Sequence, residues 1–170
     1  TVQPEDADKI VDRVEITLNK NYLTRSDLMV LDIMAQNDWE RPVYFGIGMG
    51  SESFMGFDKY FQLEGVAYRV VPILSDAQDS YNLGRINTNV LYENMMEKFV
   101  WGNIKDPKVN IDHFHDNTIG VMRYRNTFLR LAQSLIEKAK VHADTVNLTL
   151  DSAEIKIDSN YIKAAVRVLD

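Results

Sequence analysis

Two hydrophobic periods follow one another along this chain. Val14, Ile16 and Leu18 alternate with Arg13, Glu15 and Thr17, which predicts a strand with one buried face. Asn19-Lys20-Asn21 breaks that run. Thr24 and Asp27 then stand three apart in the manner of a capping box, so Arg25 to about Gln36 is predicted to be helical. Leu28, Leu31 and Ala35 share one face of that helix. Met29, Ile33 and Met34 widen it, and the helix is expected to be well buried. After Arg41-Pro42, the apolar run Val43-Tyr44-Phe45-Gly46-Ile47 predicts an interior strand. Strand, helix and strand in this order predict a βαβ-type crossover. Residues 48–64 read as loop with short turns. Val66 to Ile73 reads as a third strand, ended by Pro72 and the polar stretch Ser75–Ser80.

The period then changes to helical. Asn87 or Thr88 can cap a helix running to about Phe99, with Ile86, Val90, Leu91, Met95 and Phe99 inward. A connector with Gly102 and Pro107 leads to a long helix from about Asn117 to Lys140. Its stripe is Val121, Tyr124, Phe128, Leu131, Leu135 and Ala139. Residues 143–168 are expected to form one or two shorter helices. The expected class is therefore α/β (α+β), a small three-stranded sheet with a βαβ-type crossover helix followed by a helical half. The expected organisation is a flexible lead-in over 1–9, an α/β domain over 10–110, and a helical part over 111–170 packed on it.

Composition narrows what this frame can do. The chain has 170 residues, 45% hydrophobic and 26% charged, with a net charge of −6. That is the length of one domain. An acidic balance argues against nucleic acid as a partner, because phosphate neutralisation needs a clustered basic surface. The absence of Cys removes disulfides, thiolate metal sites and thiol nucleophiles. The longest run without a charged side chain, Pro42 to Ser51, is far below the roughly 20 residues of a membrane span. The chain starts at Thr1 with neither Met nor a leader pattern, so it is expected to be a piece, or a mature product, of something longer. Charge is uneven. Arg123, Arg125, Arg130, Lys138 and Lys140 outnumber Asp112, Asp116 and Glu137 within 111–142, which leaves the remainder more acidic than the total implies.

Several constellations are chemically suggestive. Gly46, Gly48, Gly50 and Ser51 follow a strand and could cradle a phosphate, although the spacing matches no phosphate-loop signature. Asp112, His113, His115 and Asp116 crowd together, but no further ligand cluster accompanies them, and no metal is assigned. No nucleophile elbow is present, and neither catalytic residues nor a cofactor are assigned. Trp39 and Arg41 offer an aromatic platform and a bidentate cation, or else a packed corner. Tyr68, Arg69, Arg85 and Asn87 are read in the same two ways, and Trp101 joins them as a binding candidate. Arg123, Arg125, Asn126 and Arg130 form a basic face on the long helix, expected opposite its apolar stripe. Asp144-Thr145-Val146 and Asp151-Ser152-Ala153 are short matches to an O-glycosylation acceptor pattern.

Longer segments point to a family. Tyr22-Leu23-Thr24-Arg25-Ser26-Asp27-Leu28-Met29-Val30-Leu31-Asp32, Asn37-Asp38-Trp39-Glu40-Arg41-Pro42-Val43-Tyr44-Phe45, Tyr60 to Pro72, Gly84-Arg85-Ile86-Asn87-Thr88, Lys98 to Asn103 and the helix from Arg123 to Leu135 occur in this order. Together, over about residues 5–140, they resemble the soluble C-terminal portion of a bacterial multi-spanning membrane family. That family is grouped with transmembrane protein O-mannosyltransferase-like glycosyltransferases. The resemblance implies a lipid-phosphate-sugar-dependent parent whose catalytic acids lie in its membrane bundle, outside these residues. It implies an extracytoplasmic, periplasmic domain that is not itself an enzyme. It also implies tetratricopeptide-like helix pairs toward the C-terminus, and Phe128 to Leu135 fits the first helix of a pair.

Three functions follow as expectations. The first is a non-catalytic periplasmic domain that positions an acceptor protein or docks on its own membrane bundle. The second is a sugar-phosphate or nucleotide binder built on Gly46–Ser51 with Arg41, Tyr68 or Arg85. The third is a protein-interaction scaffold using the helical half.

Overall fold

The computed structural model describes residues 4–75, 83–103, 106–110, 112–114, 121–147 and 159–169. They fall into two compact units, Thr1–Arg85 and Ile86–Asp170. The mixed α/β class is realised as a four-stranded sheet with helices.

In the first unit, residues expected to be a flexible lead-in form a 3-10 turn over Pro4–Lys9. Asp6 is buried there, holding Lys9 at 3.0 Å and the Arg85 guanidinium. Helix α1 spans Arg25–Gln36 and starts as expected. The Asp27 amide donates to the Thr24 hydroxyl, and the Thr24 amide donates back to the Asp27 carboxylate. Strands β1 (Tyr44–Gly46), β2 (Phe61–Leu63), β3 (Ala67–Val70) and β4 (Arg85–Ile86) follow. Their order is β1-β3-β2-β4, and β3 pairs antiparallel with both β1 and β2.

The expected crossover from 14–18 through α1 to 43–47 does not form, because 14–18 is not paired into the sheet; the sheet is built instead on a hairpin. Gly65, at φ 116°, turns the chain straight back between β2 and β3, and the Glu64 amide closes that turn on the Ala67 carbonyl at 3.0 Å. A hairpin of this length joins antiparallel neighbours only. The residues expected as the first strand, 14–18, lie outside the sheet.

Register places Phe45 opposite Tyr68, Leu63 opposite Tyr68 and Phe61 opposite Val70. Alternation then sends these side chains to one face and Tyr44, Gln62 and Arg69 to the other. On the first face Phe45, Phe54, Phe57, Tyr60, Phe61 and Val70 form the core. Phe61 and Tyr68 stack at 5.1 Å, and Phe54 meets Phe61 edge-on at 5.0 Å. Such contacts add about 0.5–1.5 kcal/mol per pair beyond area burial. Val30, Leu31 and Met34 carry α1 onto this core, while Leu28, Met29 and Ile33 remain 53%, 65% and 51% exposed. The helix is thus half-seated rather than well buried. Only one side of it meets the sheet.

In the second unit Asn87 caps α2 (Thr88–Tyr92), accepting from the Val90 amide at 3.2 Å. The chain continues as a π-helical turn over Glu93–Lys98. Leu91 and Met95 are fully buried, as their period requires. Two C-terminal helices, α3 (Val121–Asn147) and α4 (Ser159–Leu169), pack together. Leu131, Ala132, Leu135 and Ala139 are buried on α3, and Ala165 and Val168 on α4. α3 extends past the expected end at Lys140. No described helix is long and apolar enough to cross a membrane.

Candidate functional site

A cleft of about 640 Å³ opens on the first unit. One wall is the segment Thr17–Lys20. The other is the turn-rich stretch carrying Ile47, Met49, Ser51, Glu52, Phe54, Met55 and Gly56, with Tyr68 and Leu83 at the apolar base. Met55 and Gly56 hold consecutive positive φ angles of 50° and 81°. A buried Met in that region is strained, by about 1–3 kcal/mol. Gly56 has no substitute here. A Cβ on it would stand 2.9 Å from the Thr17 carbonyl oxygen and 3.1 Å from the Thr17 nitrogen. The two walls touch at this point, and the absence of a side chain is what permits it.

Side chains tie down both ends of the first wall. The Tyr60 hydroxyl accepts from the Glu15 amide at 2.9 Å and donates to the Glu15 carbonyl at 3.3 Å. Lys20 pairs with Asp27 at 2.8 Å. The hydrogen bond from Lys20 and that from the Thr24 amide hold the Asp27 carboxyl well below the usual range, at about 2. With Lys20 engaged, the rim presents Glu52 and Asp58 against Lys59.

The cleft gathers part of one expected constellation. Ser51 and Tyr68 line it together, whereas Arg41 and Arg85 are absent from its walls. Gly46, Gly48 and Gly50 have no positive φ, so the glycines do not build the alternating backbone nest that binds anions. The Met49 and Ser53 amides are already spent on the carbonyls of Gly46 and Gly50, and the Glu52 carboxylate lies against Gly50. A carboxylate beside the loop repels phosphate.

The other candidates separate. Trp39 is 48% exposed and Arg41 is exposed, so neither packs the corner. Asn37 builds that corner instead, donating to the Arg41 carbonyl at 2.7 Å and accepting from the Glu40 amide at 2.9 Å. Trp39 turns there with φ at 60°, an outlier for a bulky side chain. Arg69 lies on the sheet face away from Tyr68 and reaches Glu64 at 3.7 Å. Glu64, itself buried, accepts from the Tyr44 hydroxyl at 2.8 Å and the Gln62 amide at 2.7 Å. Burial, and then the Glu64 carboxylate, push the Tyr44 phenol above its ordinary pKa. Arg85 belongs to the Asp6 pair. Burial opposes ionisation of Asp6, but hydrogen bonds from Arg85 and Lys9 outweigh it and lower its pKa. Residues 62 and 64, two polar positions at strand spacing in an apolar run, are the signal in the sequence for the Glu64 network.

In the second unit Trp101 donates to the Met95 carbonyl at 3.0 Å and packs on Phe99, Tyr124 and Phe128. It is a packing residue there. The basic face of α3 is broken. Arg123 and Arg125 are exposed and Asn126 is half-buried, but Arg130 is only 6% exposed. α3 packs against both α2 and α4, which widens its buried arc beyond one stripe, and Thr88 meets Ser134 by a hydroxyl–hydroxyl hydrogen bond. Of the histidine cluster, Asp112 and His113 are described, while His115 and Asp116 lie outside the described residues, as does Asp151-Ser152-Ala153. Among the described residues no group of His, Asp and Glu is placed to hold a metal.

Comparison with known proteins gives one match. The family model of TMEM260-associated domain 2 covers residues 1–90. No curated protein and no solved structure matches.

Proposed function

Because this chain belongs to the TMEM260-associated domain 2 family, we propose that it is a non-catalytic domain of a membrane-embedded, glycosyltransferase-like protein. It stands on the extracytoplasmic, periplasmic side, where it positions an acceptor protein or docks on the membrane bundle of its parent. The observation that carries this reading is the span of the match. Residues 1–90 include every residue that lines the cleft. The chemistry of the unit supports a binding role. Its buried carboxylates, Asp6, Asp27 and Glu64, are held in fixed pairs with Arg85, Lys20, Tyr44 and Gln62 rather than poised over open space. The exposed Leu28, Met29 and Ile33 of α1 support the docking part.

The test is reconstitution of the parent with a lipid-linked sugar, with and without this domain. Turnover of the donor is expected to persist, while transfer to protein acceptors falls by about tenfold or more. Unchanged activity and acceptor range after deletion would overturn the reading. So would loss of donor turnover on a single cleft substitution that leaves the fold intact.

A further inference from the structure

Strand β1 is an outer strand of the sheet. Its inner edge pairs with β3. The Val43 carbonyl accepts from the Val70 amide at 3.0 Å, and the Ile47 amide donates to the Val66 carbonyl at 3.3 Å. Phe45 lies between them, opposite Tyr68. Alternation along an extended chain therefore turns the main-chain groups of Pro42, Tyr44 and Gly46 to the outer edge. Of these, the Gly46 carbonyl accepts from the Met49 amide at 3.1 Å. Among the described residues nothing pairs with the Tyr44 amide and carbonyl, the Gly46 amide or the Pro42 carbonyl. Charged side chains usually guard such an edge. Here β1 lies within the longest uncharged run of the chain, Pro42 to Ser51. The Tyr44 hydroxyl is fixed on Glu64 at 2.8 Å, yet the residue is 47% exposed and no described ring packs on it.

We propose that β1 is an interface between two copies of this chain, joined edge to edge as antiparallel strands about a two-fold axis at Tyr44. Donors and acceptors match in that register. The two Tyr44 residues face each other and exchange amide and carbonyl. Each Gly46 amide meets the Pro42 carbonyl of the other copy. The remaining bond of an ordinary ladder would run from the amide of residue 42 to the carbonyl of residue 46. Proline has no N–H to give, and that carbonyl already accepts from Met49. The pairing therefore strands no main-chain group. The two Tyr44 side chains stand opposite each other on the face that carries Gln62 and Arg69, as an aromatic cross-strand pair. With no charge between Pro42 and Ser51, nothing on the strand repels its copy. Such an interface is isologous and closes at two copies. The inference goes beyond the acceptor-positioning reading and does not depend on it.

The test is hydrogen exchange of the whole chain at low and high concentration, with sedimentation velocity to count copies. The amides of Tyr44 and Gly46 are expected to exchange about tenfold slower or more in the concentrated sample. The Val70 amide, already bonded within one chain, should not change. Tyr44→Lys sets two like charges face to face while leaving a partner for Glu64, and should weaken association by about tenfold or more. Register is read by crosslinking, since the chain has no Cys of its own. Under oxidised glutathione Tyr44→Cys should link two copies, because hydrogen-bonded antiparallel partners stand about 5.5 Å apart at Cα, within reach of a disulfide. Pro42→Cys should not, because its two thiols fall about 13 Å apart along the strands. If these variants fail to melt cooperatively, exchange in the native chain decides alone. Overturning results are a monomer at every concentration, slowing at amides other than 44 and 46, a dimer indifferent to Tyr44→Lys, or equal crosslinking at 42 and 44.

Discussion

Residues 14–18 and 67–70 carry the same kind of pattern and meet opposite fates. Ala67–Val70 lies between β1 and β2 and is paired along both edges. Residues 14–18 cover the same aromatic core with Val14 and Ile16, yet lie outside the sheet. Tyr60 grips them at Glu15, and Lys20 is fixed just beyond them by Asp27. Period-two alternation states which side chains face inward. It does not state whether the backbone finds a ladder. For 67–70 the Gly65 turn delivers β2 as a neighbour at once. For 14–18 the next element in sequence is a helix, which can cover side chains but cannot pair a strand edge.

The largest expected effect attacks what both segments share. Phe61→Ala removes the ring on which Tyr68 stacks and Phe54 abuts. It should cost about 3–5 kcal/mol, read from the midpoint of urea unfolding. If paired and unpaired segments lean on one core, their amides lose exchange protection together. Gly56→Val comes next. Its β-branched side chain meets the Thr17 backbone at a φ of 81°, at a cost of about 1–3 kcal/mol. Exchange should accelerate at 14–18 and leave 67–70 protected, and equal acceleration in both would erase the distinction between them. Tyr60→Phe deletes only the hydroxyl that grips Glu15, and a loss of about 0.5–1.5 kcal/mol is expected by thermal melting.

The smallest effect is a pH dependence. Asp27 is ionised more readily in the folded chain, with a pKa of about 2, than in the unfolded chain, where it is about 3.9. The stability it contributes is present above the unfolded value and is lost as pH falls through the folded one. Acid melts between about pH 4 and pH 2 should therefore be shallower for Asp27→Asn than for the native chain. Parallel curves would show that the anchor at Lys20 contributes nothing.

Local signals were legible where they close on themselves. Thr24 and Asp27 predicted the start of α1, and Asn87 the cap of α2, because a cap involves only neighbours in sequence. Leu91 and Met95 were read as buried from spacing alone, and they are. Spacing alone does not suffice where a second partner decides. Spacing puts Arg130 on an exposed face, but it is buried because α3 has helices on two sides. Met29 and Ile33 were counted with the buried face of α1, but only Val30, Leu31 and Met34 reach the core. The glycines of 46–50 could cradle a phosphate by composition, yet none of them takes a positive φ and the Glu52 carboxylate lies against Gly50.

By itself, then, the sequence determined the mixed class, the starts of α1 and α2 and the burial of Leu91 and Met95, since caps and helical spacing involve only near neighbours in the chain. Only the tertiary structure decided that β3 pairs antiparallel with β1 and β2, and that the strand pattern at 14–18 stays outside the sheet. Those outcomes depend on which distant backbone groups arrive beside one another, and alternation along one chain carries no record of its neighbour.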